Sequence, residues 1–170
     1  RPKEGERWEV EVNTGLEGWL SRIAGSMGRG YLLTIDYGEP GETLYGPERP
    51  NGTIRGFSGH RHADDLLASP GSIDLTASID FTLLSKTAEK LGLISAPFIN
   101  QHNFLFAHGL LEEAARLEGE IGDEMDLLAF RRSMGELIFP GQGMGESFMA
   151  LVQAKNAPLE PLIPPPNRTF

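Results

Sequence analysis

The chain has 170 residues, enough to bury a core of its own, and carries 15 Lys plus Arg against 24 Asp plus Glu, a formal net charge of -9. That balance opposes a phosphate backbone, and the arginines are scattered instead of forming a basic patch, so nucleic acid is not an expected partner. The absence of cysteine excludes disulfides, thiol nucleophiles and Cys-zinc sites, and with no apolar run near the roughly 18 residues of a membrane span and no signal-peptide pattern, a membrane partner is not expected either.

The chain opens "RPKEGERWEV" without Met and is expected to belong to a longer polypeptide. Over residues 7–12, "RWEVEV" alternates apolar and polar positions, which predicts a half-buried strand. "TGLE" offers Thr14 as an N-cap with Glu17 three residues on, a capping box. Leu16, Trp19, Leu20, Ile23, Ala24 and Met27 then mark one helical stripe, which Gly28 and Gly30 stop. "YLLTID" is apolar on consecutive positions, predicting a strand covered on both faces of a parallel sheet. A helix feeding such a strand through a short Gly turn is an α/β unit.

Residues 39–51, "EPGETLYGPERPN", read as a surface excursion, and "GTIRGF" as a short strand. Asp80 is placed to cap a helix running through Phe81, Leu84, Ala88 and Leu91, with Gly92 as its stop. "LISAPFI" reads as a strand. Helices are predicted over 103–117 and 123–139, the second ended by Pro140-Gly141 and carrying Arg131-Arg132 on a solvated face. "ESFMALVQAK" reads as a further strand and "NAPLEPLIPPPNRTF" as a Pro-rich tail, which divides the chain into a folded part, 1–155, and a tail, 156–170.

In open α/β sheets ligands bind beyond the carboxyl ends of the strands, where Asp36, Tyr37 and Gly38 fall. The alternative is a plain turn, with Asp36 capping the loop and Gly38 supplying a positive φ, and the spacing leaves both open. In "HRHADD", His60 and His62 followed by Asp64 resemble the zinc loop of metallo-β-lactamase-like hydrolases. That loop has a third histidine where this chain has Asp65, and only His102 and His108 remain downstream. Solvated loop histidines are the simpler reading, and no metal is expected.

"SIDLTASIDF" places Asp74, Thr76, Ser78 and Asp80 at alternating positions, on one face if the segment is extended. Such a face is either solvent-exposed or lines a cleft beside "DYG", where carboxylates accept hydrogen bonds from a cationic or polar substrate. "FPGQGMGE" offers Gly141, Gly143 and Gly145. No Lys-Ser/Thr follows and the next element is a strand, so the reading is a hairpin-like connection and not a phosphate cradle.

Taken in order, "GYLLTIDYG", "GTIRGFSGHRHADDLLASPGSIDLTASIDF", "INQHNFLFAHG" and "GMGESFMALVQ" resemble the MidA family of S-adenosylmethionine-dependent methyltransferases, over residues 8–153. Mitochondrial members of that family are complex I assembly factors and protein arginine methyltransferases. The resemblance implies an α/β fold of the class I (Rossmann-like) methyltransferase type, a mostly parallel sheet with a terminal antiparallel hairpin, plus inserted helices. "YLLTID" would be its fifth strand, "LISAPFI" its sixth and "ESFMALVQ" its reversed seventh, so that this chain is the C-terminal part and the main cofactor loop precedes Arg1.

The implied cofactor is S-adenosylmethionine and the implied partner a protein with a methyl-accepting arginine, in the cytoplasm for a bacterial source or the mitochondrial matrix for a eukaryotic one; a homodimer is an open arrangement. By the same resemblance Asp36 and Tyr37 flank the transfer point, while His60, Asp74 and Asp80 are substrate-side groups, with Asp80 also a helix cap. Such a transfer depends mainly on in-line positioning, so acids that orient a guanidinium matter more than a strong base. A non-catalytic assembly protein on the same scaffold is the alternative from another class, and a metal hydrolase through His60, His62 and Asp64 is the third. An isolated part of such a sheet would expose the edge of its innermost strand and much apolar surface, so preceding polypeptide is expected to cover it.

Overall fold

The apolar stripe folds as a helix, α1 (Leu16–Ser26), that buries Leu16, Leu20 and Ala24. A computed structural model describes residues 7–59, 61–63, 65–138 and 147–162. The capping box does not form. Gly15 is the N-cap, and the Asn13 side chain takes over locally, its Oδ1 accepting the Gly15 N–H at 3.1 Å. Nor do residues 7–12 make a strand. Their one bridge joins Glu9 to Asn51, Val10 and Val12 are 47% and 67% exposed, and the Glu11 carboxylate is bonded to the loop at Thr53 and Ile54.

After α1 the chain enters the long strand β1 (Gly30–Glu39) and the single turn α2 (Gly41–Leu44). Three short strands, β2 (Arg55–Ser58), β3 (Arg61–Ala63) and β4 (Asp74–Thr76), form a separate antiparallel sheet in the order β3-β2-β4. β5 (Ile79–Asp80) then returns to pair in parallel with the end of β1, matching Gly38 to Ile79 and Glu39 to Asp80. Helix α3 (Phe81–Lys90) follows at once, its N-cap Asp80 accepting the Leu83 N–H at 2.9 Å. Gly92, at φ 81°, closes its far end, with the Leu93 N–H reaching back to the Ala88 carbonyl.

"LISAPFI" is two strands instead of one: β6 (Ile94–Ser95) and β7 (Ile99–Asn100), both antiparallel to β8 (Phe148–Lys155). Pro97 has no N–H for the ladder, and the segment 96–98 bulges by one residue between the two pairings. The first predicted C-terminal helix is likewise split, at Gly109 (φ 87°), into α4 (Gln101–Ala107) and α5 (Leu110–Glu118). α6 (Glu124–Ile138) completes the helices, with Arg131 and Arg132 exposed as expected and Arg131 bonded to Glu118 of α5. Its predicted end at Phe139 and Pro140-Gly141 and the Gly141, Gly143, Gly145 connection lie outside the described residues.

The main sheet runs β5-β1-β8-β6, with β7 also on β8. It is mixed: β1 and β6 run alongside each other in direction, with β8 reversed between them. β8 is the strand covered on both faces. Leu151 packs with Leu20, Phe81, Leu84 and Ala88 under α1 and α3, while Val152 and Ala154 pack with Ala96 and Leu159 on the opposite side. Leu159 belongs to the predicted tail, whose first turn thus docks on the sheet.

β1 does not meet the expectation of cover on both faces. Tyr31, Leu33 and Ile35 are 42%, 46% and 39% exposed while Leu32, Thr34 and Asp36 are half-buried. Among the described residues β1 pairs with β8 along eight registered positions on one side, Gly30 through Tyr37, and with β5 only at Gly38 and Glu39 on the other.

Candidate active site

The carboxyl end of β1 gathers the chemistry. Asp36 is half-buried, and its Oδ1 accepts the N–H of Tyr37 at 2.7 Å. Tyr37 lies opposite Phe148 of β8, the ring centroids 4.1 Å apart, and the Arg55 guanidinium of β2 sits 5.7 Å from the Tyr37 centroid. Glu39, one position past "DYG", binds Arg49 through Oε1 at 2.5 Å, and its Oε2 is buried without a hydrogen-bond partner among the described residues. Asp80 is brought beside Glu39 by the β1–β5 register.

The other predicted site residues fall elsewhere. Asp74 is exposed on β4, opposite Phe57 and in the smaller sheet, so Asp74 and Asp80 do not share one strand face: the chain changes sheets at Ala77-Ser78. His60 and Asp64 lie outside the described residues. His62 is exposed, its ring 4.9 Å from that of Phe57, and among the described residues no three His, Cys, Asp or Glu side chains converge as a metal site would require. Periodicity missed Glu39, Arg49, Arg55 and Glu11. Glu39 had a usable signal, being the first acid after a strand end already singled out; the arginines had none.

A cavity of about 590 Å³ opens beside Thr34 of β1, walled by Val12, Leu16, Trp19 and Leu84, with Glu11, Tyr45 and Asp80 among its polar groups. The two carboxylates and the phenol are engaged. Asp80 caps α3, and the Tyr45 hydroxyl donates to the Glu11 carbonyl at 3.5 Å. Burial, together with the nearby Asp80 and Glu11 carboxylates, raises the Tyr45 pKa and keeps the phenol protonated. Burial pushes Glu11 upward, but N–H bonds from Ile54 and Thr53 and the Thr53 hydroxyl outweigh it and hold Glu11 below the ordinary carboxylate range.

A carboxylate with a depressed folded pKa contributes stability that is complete above its unfolded value, about 4.3, and is lost as pH falls through the folded value. Thermal melts of the protein and of Glu11→Gln are therefore expected to differ by a constant gap from pH 7 down to about 5 and to converge below about 4. A gap unchanged at the acid end would remove Glu11 as the anchor of the 53–54 loop.

An S-adenosylmethionine site must hold ribose hydroxyls, an adenine and an α-carboxylate. The apolar wall of this cavity suits one such part, yet both its carboxylates are occupied and no cationic side chain among the described residues lines it. The described residues therefore do not make a complete cradle for the cofactor on their own.

The family profile described as "Putative S-adenosyl-L-methionine-dependent methyltransferase" matches residues 1–99. The chain is 34% identical over 110 residues to the zebrafish (Danio rerio) protein named "Protein arginine methyltransferase NDUFAF7, mitochondrial", a match covering 64% of this chain and 24% of that one. The rat (Rattus norvegicus) protein of the same name is 33% identical over 129 residues, covering 76% of this chain and 27% of its own. The chain thus spans about a quarter of the length of these relatives.

Among solved structures, a native crystal structure of a Burkholderia thailandensis protein superposes with a TM-score of 0.77 at 25% identity, covering 87% of this chain and 39% of the other. A second structure from that organism, of a protein bound to S-adenosyl-homocysteine, gives 0.76 at 24% identity, covering 89% and 40%, and shows the fold alone. With the profile matched over more than half of its length, the chain belongs to this family of S-adenosyl-L-methionine-dependent methyltransferases, whose fold its sheet shares.

Proposed function

We propose that this chain is the C-terminal part of a class I methyltransferase that moves a methyl group from S-adenosylmethionine to a nitrogen of a protein arginine side chain. The strand order supports the placement: a reversed β8 between β1 and β6 is what a terminal antiparallel hairpin on a parallel sheet requires. The open face and edge of β1 support it as well, since consecutive apolar residues are set for cover that the described residues do not supply. The relatives named as protein arginine methyltransferases support the acceptor. The relatives' names support a mitochondrial compartment for a eukaryotic chain; the matrix there, and the cytoplasm for a bacterial chain, belong to the same proposal.

The observation that carries the reading is Glu39, set beside Asp80 by the β1–β5 register at the end of β1, with one carboxylate oxygen buried and without a hydrogen-bond partner among the described residues. A guanidinium needs planar carboxylate acceptors to hold one nitrogen in line with the incoming methyl carbon. S-adenosylmethionine supplies that carbon. Asp36 and Tyr37 flank the transfer point, and Asp74 and His60 are assigned to the substrate side.

The test is an intact mass of the purified protein, calorimetric titration with S-adenosyl-homocysteine, and a methyl-transfer assay. A mass above that of this chain, saturable binding and turnover are expected. Asp36→Asn is expected to lower turnover about 100-fold, in line with removal of a group that positions the reacting atoms. Asp80→Asn, which keeps the cap, should leave the melting temperature unchanged and so reports only on chemistry. Binding without turnover would favour the non-catalytic assembly protein. No binding by a protein longer than this chain would overturn the reading.

A further inference from the structure

Beside the strand end lies a second, smaller cavity of about 200 Å³, lined by Arg49, Gly52, Thr53, Ile54, Arg55 and Ser78. Arg49 and Arg55 are the arginines that are not exposed among the described residues, and both face this one space. The surface arginines Arg7, Arg116 and Arg131 find carboxylates. Arg55 does not: among the described residues its guanidinium has only the Tyr37 ring, 5.7 Å from the centroid, and no carboxylate at ion-pair distance. Neither of the two nearby acids forms an ion pair with Arg55 among the described residues. Glu39 binds Arg49, and both oxygens of Glu11 accept from Thr53 and Ile54.

Arg55 is half-buried, and a planar guanidinium fork held on an aromatic face with no carboxylate beside it is set for a planar, two-oxygen ligand. The space, about 200 Å³, admits a carboxymethyl-sized group. A chain of net charge -9 repels acidic ligands in general, so an acid is accepted only where cations are concentrated. We propose that Arg55, with Arg49 beside it, forms a carboxylate-binding subsite that receives an acidic side chain of the polypeptide acceptor. The carboxylate chemistry stands on the cavity alone; its assignment to the acceptor rests on the methyl-transfer reading. Glu39 and Arg55 would then read an acceptor in which an arginine and an acid lie close together.

The test follows the Arg55 Nε–Hε signal and the Thr53 amide of the 15N-labelled protein during titration with acetyl-Gly-Glu-Gly-amide and with its Gln counterpart. Saturable shifts with the Glu peptide and none with the Gln peptide are expected. The Thr53 shift should need at least tenfold more peptide in Arg55→Gln and an intermediate amount in Arg55→Lys, with Arg22→Gln unchanged. Equal shifts with both peptides, no shifts at all, or undiminished binding by a folded Arg55→Gln would overturn the subsite.

Saturating S-adenosyl-homocysteine separates the two sources of the carboxylate. If the peptide still binds, the acceptor assignment holds; if the cofactor product displaces it, that assignment falls. A protein that shows the Arg55 shifts yet binds no S-adenosyl-homocysteine keeps the subsite and loses only the methyl-transfer reading.

Discussion

Gly38→Ala is expected to cost at least about 3 kcal/mol, the upper part of the range for overpacking, because the first atom it adds meets backbone. Gly38 is buried, and a Cβ there would lie 2.3 Å from the Ile79 carbonyl oxygen and 2.6 Å from a Phe81 ring carbon. A ring can swing aside. A carbonyl held in the β1–β5 register moves only if Gly38 and Glu39 part from Ile79 and Asp80, which dismantles the strand end where the site residues meet. Against a typical total stability of about 5–15 kcal/mol, that loss is a large fraction. The matched control is Gly25→Ala in α1, where nothing lies within 4 Å and the loss of backbone freedom should stabilise by about 0.5–1 kcal/mol. Urea midpoints decide it. Equal stability of the two variants would mean that the close approach at Gly38 is not real. Gly38→Ala with Phe81→Leu should recover only part of the loss, since the smaller side chain leaves the carbonyl contact in place.

Local signals explain what the sequence revealed. The α3 helix was legible because its cap, its stripe and its terminal glycine all act within one segment: Asp80 accepts from Leu83, Phe81 and Leu84 are buried, and Gly92 takes a positive φ. "DYG" was legible as a strand end. Its glycine, however, is not among those with positive φ; it is small because two strands and a ring crowd it. Alternation over "SIDLTASID" was misleading, because period two says which residues share a face only while the strand stays in one sheet. β4 pairs with β2 and β5 with β1. The arginine pair and the acids near it depend on contacts spanning 10 residues, for Glu39 with Arg49, and 42, for Glu11 with Thr53. No periodicity carries such pairings. The apolar run of β1 predicts cover on both faces, and the exposed face found instead supports the proposal that further polypeptide covers it.

Phe81→Ala is expected to destabilise by about 3–5 kcal/mol and, unlike other core truncations, to loosen the site directly. Phe81 is fully buried, 5.6 Å from Phe98 between ring centroids, and is the first residue of α3, immediately after the Asp80 cap and against Gly38. Its ring therefore fixes the point at which β5 becomes helix. Leu84→Ala is the comparison: Leu84 is 1% exposed in the same cluster but one turn further along, so its loss of about 2–5 kcal/mol should not reach the cap. Hydrogen exchange at the Leu83 amide, which donates to Asp80, separates the two effects. In Leu84→Ala that amide should exchange no faster than the lowered global stability allows, whereas in Phe81→Ala it should exchange faster than global unfolding permits, reporting a cap that opens on its own. If the Leu83 amide still exchanges only by global unfolding in Phe81→Ala, the ring contributes burial alone and Asp80 is positioned by its pairing with Glu39 on β1.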